Sequence, residues 1–195
     1  MILTIKEKRL LRFLAISHDD YSINDLAKEC DLTPSGCHKM LKKLEKEEIV
    51  KAKKIANIIS YKLNFEGNNT KSILHLVFVP DTLEGRVKLR AQDLGPMKEY
   101  TTICILFGSY VTSKQHPSDL DILFVIKKSG YQKYKATLAT VRDITPLKIQ
   151  DVIQTAEDLE ENFKKNDPVI IAAIRFGIVL WGFDALVEVI KDAHK

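Results

Sequence analysis

Residues 101–126 read TTICILFGSYVTSKQHPSDLDILFVI, two apolar runs separated by a polar loop. The first run, Thr101 to Phe107, is β-branched and apolar and stops at Gly108, and the second, Ile122 to Ile126, is continuous and equally apolar. Both have the length and composition of buried strands. Gly108 lets the backbone turn sharply and a ligand come close, and Ser109 and Tyr110 offer free N–H groups if a helix begins there, a phosphate-binding geometry. Asp119 and Asp121 are two residues apart, so their side chains leave an extended strand on the same face. Such carboxylates repel one another unless a cation lies between them, and their hard oxygens suit magnesium, above all when the substrate brings phosphates. The stretch predicts an anion cradle beside a metal site.

This motif resembles that of the polymerase beta-like nucleotidyltransferase superfamily, in which a Gly-Ser turn is followed, after a loop of roughly ten residues, by Asp-x-Asp. Within it the chain is most similar to the minimal, kanamycin-nucleotidyltransferase-like group, with Phe107, Gly108, Ser109, Tyr110, Ser118, Asp119 and Asp121 matching the pattern. Val111, Thr112 and Ser113 stand where Ala-Arg-Gly is usual, which leaves Lys114 as the basic side chain near the phosphates. The resemblance implies transfer of a nucleoside monophosphate from a nucleoside triphosphate to a hydroxyl. Asp119, Asp121 and a third carboxylate on a later strand would hold two magnesium ions, and Gly108, Ser109 and Lys114 would hold the nucleotide. Asp151 is the only acid on that strand, Leu147 to Ile153, although alternation puts it with Leu147, Ile149 and Ile153 and puts Lys148, Gln150, Val152 and Gln154 opposite. The competing reading is a catalytically silent regulator or antitoxin-like protein that binds DNA and nucleotide, partnered by a toxin-like protein or a second copy of itself.

Around this motif the chain reads as α+β. Tyr131 to Val141 is a helix after Ser129-Gly130; Asp167-Pro168 opens another to Phe176; Gly177 to Trp181 is a short strand; and Asp184 to Ala193 is a closing helix. Glu157 and Asp158 suit the first turn of the helix after Asp151, where they complement its dipole. The domain so defined, 99–195, is a small mixed sheet with flanking helices.

The first third of the chain differs in charge. Residues 1–65 hold 13 Lys and Arg against 9 Asp and Glu, whereas residues 66–195 hold 17 of each, so the net +4 lies wholly in the first part. Such asymmetry marks a nucleic-acid-facing module ahead of a neutral one. Leu3, Leu10, Leu11, Leu14 and Ala15 recur at helical spacing between Thr4 and Ser17. Ser22 caps a short helix with Asp25 three residues on, and Thr33 followed by Pro34 opens a longer, basic one to Glu47 with Cys37, Met40, Leu41 and Leu44 inward. Ile49 to Lys54 and Ile58 to Leu63 form a hairpin about Ala56-Asn57. Residues 1–65 resemble the winged-helix domains of bacterial and archaeal transcription regulators. The resemblance implies double-stranded DNA against Ser35, His38, Lys39, Lys42 and Lys43 of the third helix, and phosphates near Lys51, Lys53 and Lys54 of the wing. The lysines supply salt-sensitive affinity, and Ser35 and His38 are the expected base readers.

Between these parts Glu66-Gly67-Asn68-Asn69 is a polar break, and 66–98 is expected to be a helical connector packed on the second domain's sheet. Ser72 to Val79 suits a helix or a strand, and Thr82 to Leu94 is helical. An apolar fraction of 45% in 195 residues suits one medium domain or two small ones. The three cysteines, Cys30, Cys37 and Cys104, lack metal-site spacing and fit reduced thiols. The start, with Lys6, Lys8, Arg9 and Arg12, lacks a leader's apolar core, and the longest apolar stretch, Val169 to Trp181, contains Arg175. A cytoplasmic protein without a membrane partner is expected.

Overall fold

The structure, a computed structural model, describes residues 3–55, 57–112, 117–127 and 130–194, and the chain divides after Phe78 into two compact units. The first unit opens with three helices, each begun by a side-chain cap. In α1 (Ile5–Ile16) Thr4 and Glu7 form a reciprocal capping box, as Ser22 and Asp25 do in α2 (Ile23–Glu29); in α3 (Pro34–Lys46) the Thr33 hydroxyl accepts from the Gly36 N–H and Pro34 takes the first turn. These caps satisfy N–H groups that a helix start leaves without partners. Leu10, Leu11, Leu26, Leu41 and Leu44 are each 0% exposed at the centre of the unit.

The chain leaves α3 through Glu48 at φ 58 and enters β1 (Val50–Ile55), which pairs antiparallel with β2 (Ile58–Leu63) as the expected wing. Residues 70–78 resolve the ambiguous apolar run as a helix, α4 (Thr70–Phe78). Its buried side chains Ile73, Leu74, Val77 and Phe78 pack the helix against α1, and the Arg12 guanidinium lies 5.1 Å from the Phe78 ring centroid. This corrects the expected connector: α4 spends its apolar face on α1 and belongs to the first unit, while the helix after it belongs to the second.

The second unit is a four-stranded sheet in the order β5-β4-β3-β6. Its strands are β3 (Thr101–Phe107), β4 (Asp119–Ile126), β5 (Lys148–Gln154) and β6 (Ile178–Trp181). β3 is antiparallel to β4 and β6, and β4 is parallel to β5, so the sheet is mixed, as expected. The parallel pair needs a crossover, supplied by α7 (Tyr131–Ile144). Leu120, Ile122 and Phe124 of β4 share one face with Cys104 and Leu106 of β3, and α7 covers them with Tyr134, Leu138 and Val141. α5 (Gly85–Asp93) and the 3-10 turn Gly95–Glu99 add Val87, Leu94 and Met97 to this core. The other face packs under α8 (Ala156–Lys164), α9 (Pro168–Phe176) and α10 (Phe183–Ala193). Trp181 Nε1 donates to Thr101 Oγ1 at 3.1 Å and ties β6 to β3. Cys30, Cys37 and Cys104 are buried and in the thiol form, and among the described residues no helix is long and apolar enough to cross a membrane.

Candidate functional site

In the second unit, β3 ends at Phe107, directly opposite Asp121 in the antiparallel register. The chain then turns through Gly108 at φ 72 into the short helix α6 (Ser109–Thr112). A side chain at position 108 is barred twice: the backbone is left-handed, and a Cβ would lie 2.0 Å from Asp121 Oδ2. The Asp121 carboxylate therefore rests directly on the glycine turn. Asp119 leaves β4 on the same face, opposite to that of Leu120 and Ile122. Burial, and then the charge of Asp119, push the Asp121 pKa up. Two acids thus meet at the glycine turn, with Ser109 exposed beside them.

Tyr110, the next residue, is buried; its hydroxyl donates to the Arg86 carbonyl at 3.0 Å and the Arg86 guanidinium lies 4.9 Å from its ring centroid. It anchors the turn to α5. Lys114, expected at the phosphates, lies outside the described residues, as do Ala56, Ser113 and Ser129.

Asp151 does not join Asp119 and Asp121. In the parallel β4–β5 register it stands beside Ile122, on the face covered by α7. There the Tyr134 hydroxyl donates to its Oδ2 at 2.9 Å and Arg142 Nη2 donates to its Oδ1 at 2.6 Å. Burial, and then Asp151, push the Tyr134 pKa up. The expectation that Asp151 completes a metal site is corrected by this geometry: strand parity turns it to the opposite face and an ion pair engages it. The side chain that does reach the acids is Gln150, which stands beside Asp121 in the register and whose Nε2 donates to Asp119 Oδ2. Its signal was the alternation of β5, which puts Gln150 and Asp151 on opposite faces.

In the first unit, α3 buries Cys37, Leu41 and Leu44 and exposes Ser35, His38, Lys39 and Lys42, one stripe at i, i+3, i+4 and i+7. Lys51, Lys53 and Lys54 are exposed on β1 of the wing. Lys42 lies 2.8 Å from Glu45, whose carboxylate raises the lysine pKa. Lys43, expected to face DNA, is off the stripe: its Nζ is 2.7 Å from Glu7 Oε1 of α1, and Glu7 is 3% exposed. A buried carboxylate needs that partner, so Lys43 serves the helix packing. Glu7 escaped the sequence reading, although Thr4-x-x-Glu7 is a capping-box pattern.

No curated protein and no solved structure matches the chain. Residues 3–51 match the family model for winged helix-turn-helix DNA-binding domains, which covers α1, α2, α3 and the start of the wing. The chain thus carries an N-terminal winged helix-turn-helix DNA-binding domain, joined to a second unit built on a mixed sheet.

Proposed function

We propose that this is a DNA-bound regulator whose second unit binds a magnesium-complexed nucleoside triphosphate at the Gly108 turn. The observation that carries the reading is the contact of the Asp121 carboxylate with Gly108, with Asp119 on the same face. The donor set fits a hard divalent cation: two partly exposed carboxylates adjoin at the end of a strand, and burial and mutual repulsion destabilise the charged form of one of them. Asp119 and Asp121 would hold the ion, which would supply the positive charge that offsets theirs and that of the nucleotide's phosphates. Ser109, exposed at the start of α6, would meet the phosphates through its hydroxyl and backbone N–H.

The DNA side of the proposal rests on the exposed stripe Ser35, His38, Lys39 and Lys42, which would lie in the major groove, and on Lys53 and Lys54, which would meet the backbone from the wing. The second reading is nucleotidyl transfer to a hydroxyl acceptor. It draws on the same two carboxylates, and their shared face favours it. Binding is preferred because the third acid, Asp151, is turned away and paired with Arg142.

Calorimetric titration of the full chain with ATP in the presence of magnesium tests the nucleotide claim; saturable binding that Asp121→Ala removes is expected, and unchanged binding in that variant overturns it. Incubation with α-labelled ATP separates the two readings, since transfer leaves label on an acceptor. A gel-shift series across salt tests the DNA claim, because phosphate-dominated binding weakens steeply as salt rises.

A further inference from the structure

We infer that Gln150 is the third side chain of the Asp119–Asp121 site and that, being a neutral amide, it restricts the site to a single divalent cation. The inference rests on the metal-binding reading above and deepens it. Three observations converge on it. Gln150 stands beside Asp121 in the β4–β5 register, and its Nε2 donates to Asp119 Oδ2, so it touches one acid and adjoins the other. The carboxylate of Asp119 can only accept, which fixes the amide with its nitrogen toward the acid. Among the described residues no cluster of three or more His, Cys, Asp and Glu side chains is assembled for a metal ion, so no other acid completes the set.

The rest of that strand face agrees. Lys148 pairs with Asp119 in the same register, and two positions further on Val152 pairs with Leu123. On that face β5 carries Lys148, Gln150 and Val152 and adds no negative charge. Carboxylate count governs how strongly an oxygen site holds a divalent ion. With Asp119 and Asp121 alone the site balances one such ion; a second would find no anionic ligand on β5. The Gln150 amide meanwhile holds Asp119 in position without a metal, a service a third carboxylate would reverse by repulsion.

The test is a titration of the full chain with Mn2+ alone, read by the electron paramagnetic resonance of the free ion. The native protein is expected to bind one Mn2+. Gln150→Glu keeps the side chain's size and adds the missing charge; it is expected to bind Mn2+ about tenfold more tightly, the direction carboxylate count dictates. Gln150→Asp, which adds the charge on a shorter stem, is expected to move the same way. A thermal melt in EDTA supplies a second readout: Gln150→Glu should melt below the native protein without metal and regain that loss when Mn2+ is added. Native binding of one Mn2+ with unaltered affinity in both acidic variants overturns the role of Gln150 and leaves the metal site standing. Native binding of two ions overturns the single-cation claim. No Mn2+ binding by the native protein or by either variant removes the metal reading itself.

Discussion

The ammonium of Lys43 on α3 lies 2.7 Å from the carboxylate of Glu7 on α1, and the Glu7 side chain is only 5% exposed. Glu7 Oε2 also accepts from the Thr4 N–H at 2.8 Å and the Thr4 hydroxyl at 2.9 Å. One buried carboxylate therefore caps the first helix and binds it to the third, which carries the exposed stripe. Burial pushes the Glu7 pKa up, but the hydrogen bonds from Lys43 and Thr4 outweigh it and the net shift is downward. A carboxyl with a lowered folded-state pKa stabilises the fold above its unfolded value of about 4.3, and the stabilisation is lost as pH falls through the folded value. Glu7→Gln should cost about 1–2 kcal/mol at neutral pH, the range for a hydrogen bond to a charged group whose partner is half exposed. Urea denaturation at pH 7 and in acid measures this: the gap between native and variant should close in acid, and a gap of constant size would show that charge plays no part.

The same pairing separates Lys43 from the other lysines in DNA binding. A lysine that neutralises a phosphate contributes about 0.9 to the slope of log Kobs against log salt. Lys39→Ala and Lys53→Ala should each lower that slope by about this amount and weaken binding to all sequences alike. Lys43→Ala should leave the slope at its native value while lowering the melting temperature. Gel shifts at several salt concentrations decide the matter, and a slope change for Lys43→Ala equal to that for Lys39→Ala would return Lys43 to the DNA face. His38→Ala should instead narrow the gap between specific and non-specific affinity.

Local signals were strong where caps and periodicity agree. Thr33-Pro34 opens α3, Ser22 and Asp25 box α2, and the winged helix-turn-helix domain follows from that spacing. The glycine turn and the two acids were legible because Gly108 closes one apolar run and Asp119 and Asp121 stand two residues apart at the start of the next. What a pattern cannot carry is the choice of partner across space. Lys43 looks like any other lysine on a basic helix until α1 brings Glu7 to it, since the two are far apart in the chain. Asp151 invited assignment as an acid on the right strand; strand parity argued against it, and only the register with Ile122 and the approach of Tyr134 and Arg142 from α7 fix its role. The apolar run of α4 was ambiguous because a short segment buried on one side fits either period, and packing on α1 decided it.

Asp151 should behave as a structural residue. Tyr134 is 0% exposed, and Asp151→Ala strands its hydroxyl without an acceptor. Leaving a buried polar group unsatisfied costs about 1–3 kcal/mol, so the variant should unfold at lower urea. Tyr134→Phe in that background removes the orphaned hydroxyl and should recover part of the loss. Mn2+ affinity should match that of the native protein in both variants. A weakening as large as that from Asp121→Ala would place Asp151 in the metal site after all.

Gly108 and Asp121 should be coupled in stability. A Cβ at position 108 would lie 2.0 Å from Asp121 Oδ2 and 2.9 Å from its Cγ, on a backbone held at φ 72. Gly108→Ala therefore meets two obstacles, a left-handed conformation and a clash, and together they should cost about 2–3 kcal/mol. Asp121→Ala removes the clashing atoms, though its own Cβ, 3.2 Å away, still crowds the site. In that background the same substitution should cost about 1–2 kcal/mol, mainly the left-handed penalty that only glycine escapes. The difference between the two costs is the coupling energy, and denaturation of the four proteins in the cycle measures it. A coupling near zero would mean that Asp121 does not rest on the turn, and the Asp119–Asp121 pair would then lose its tie to the glycine that defines the site.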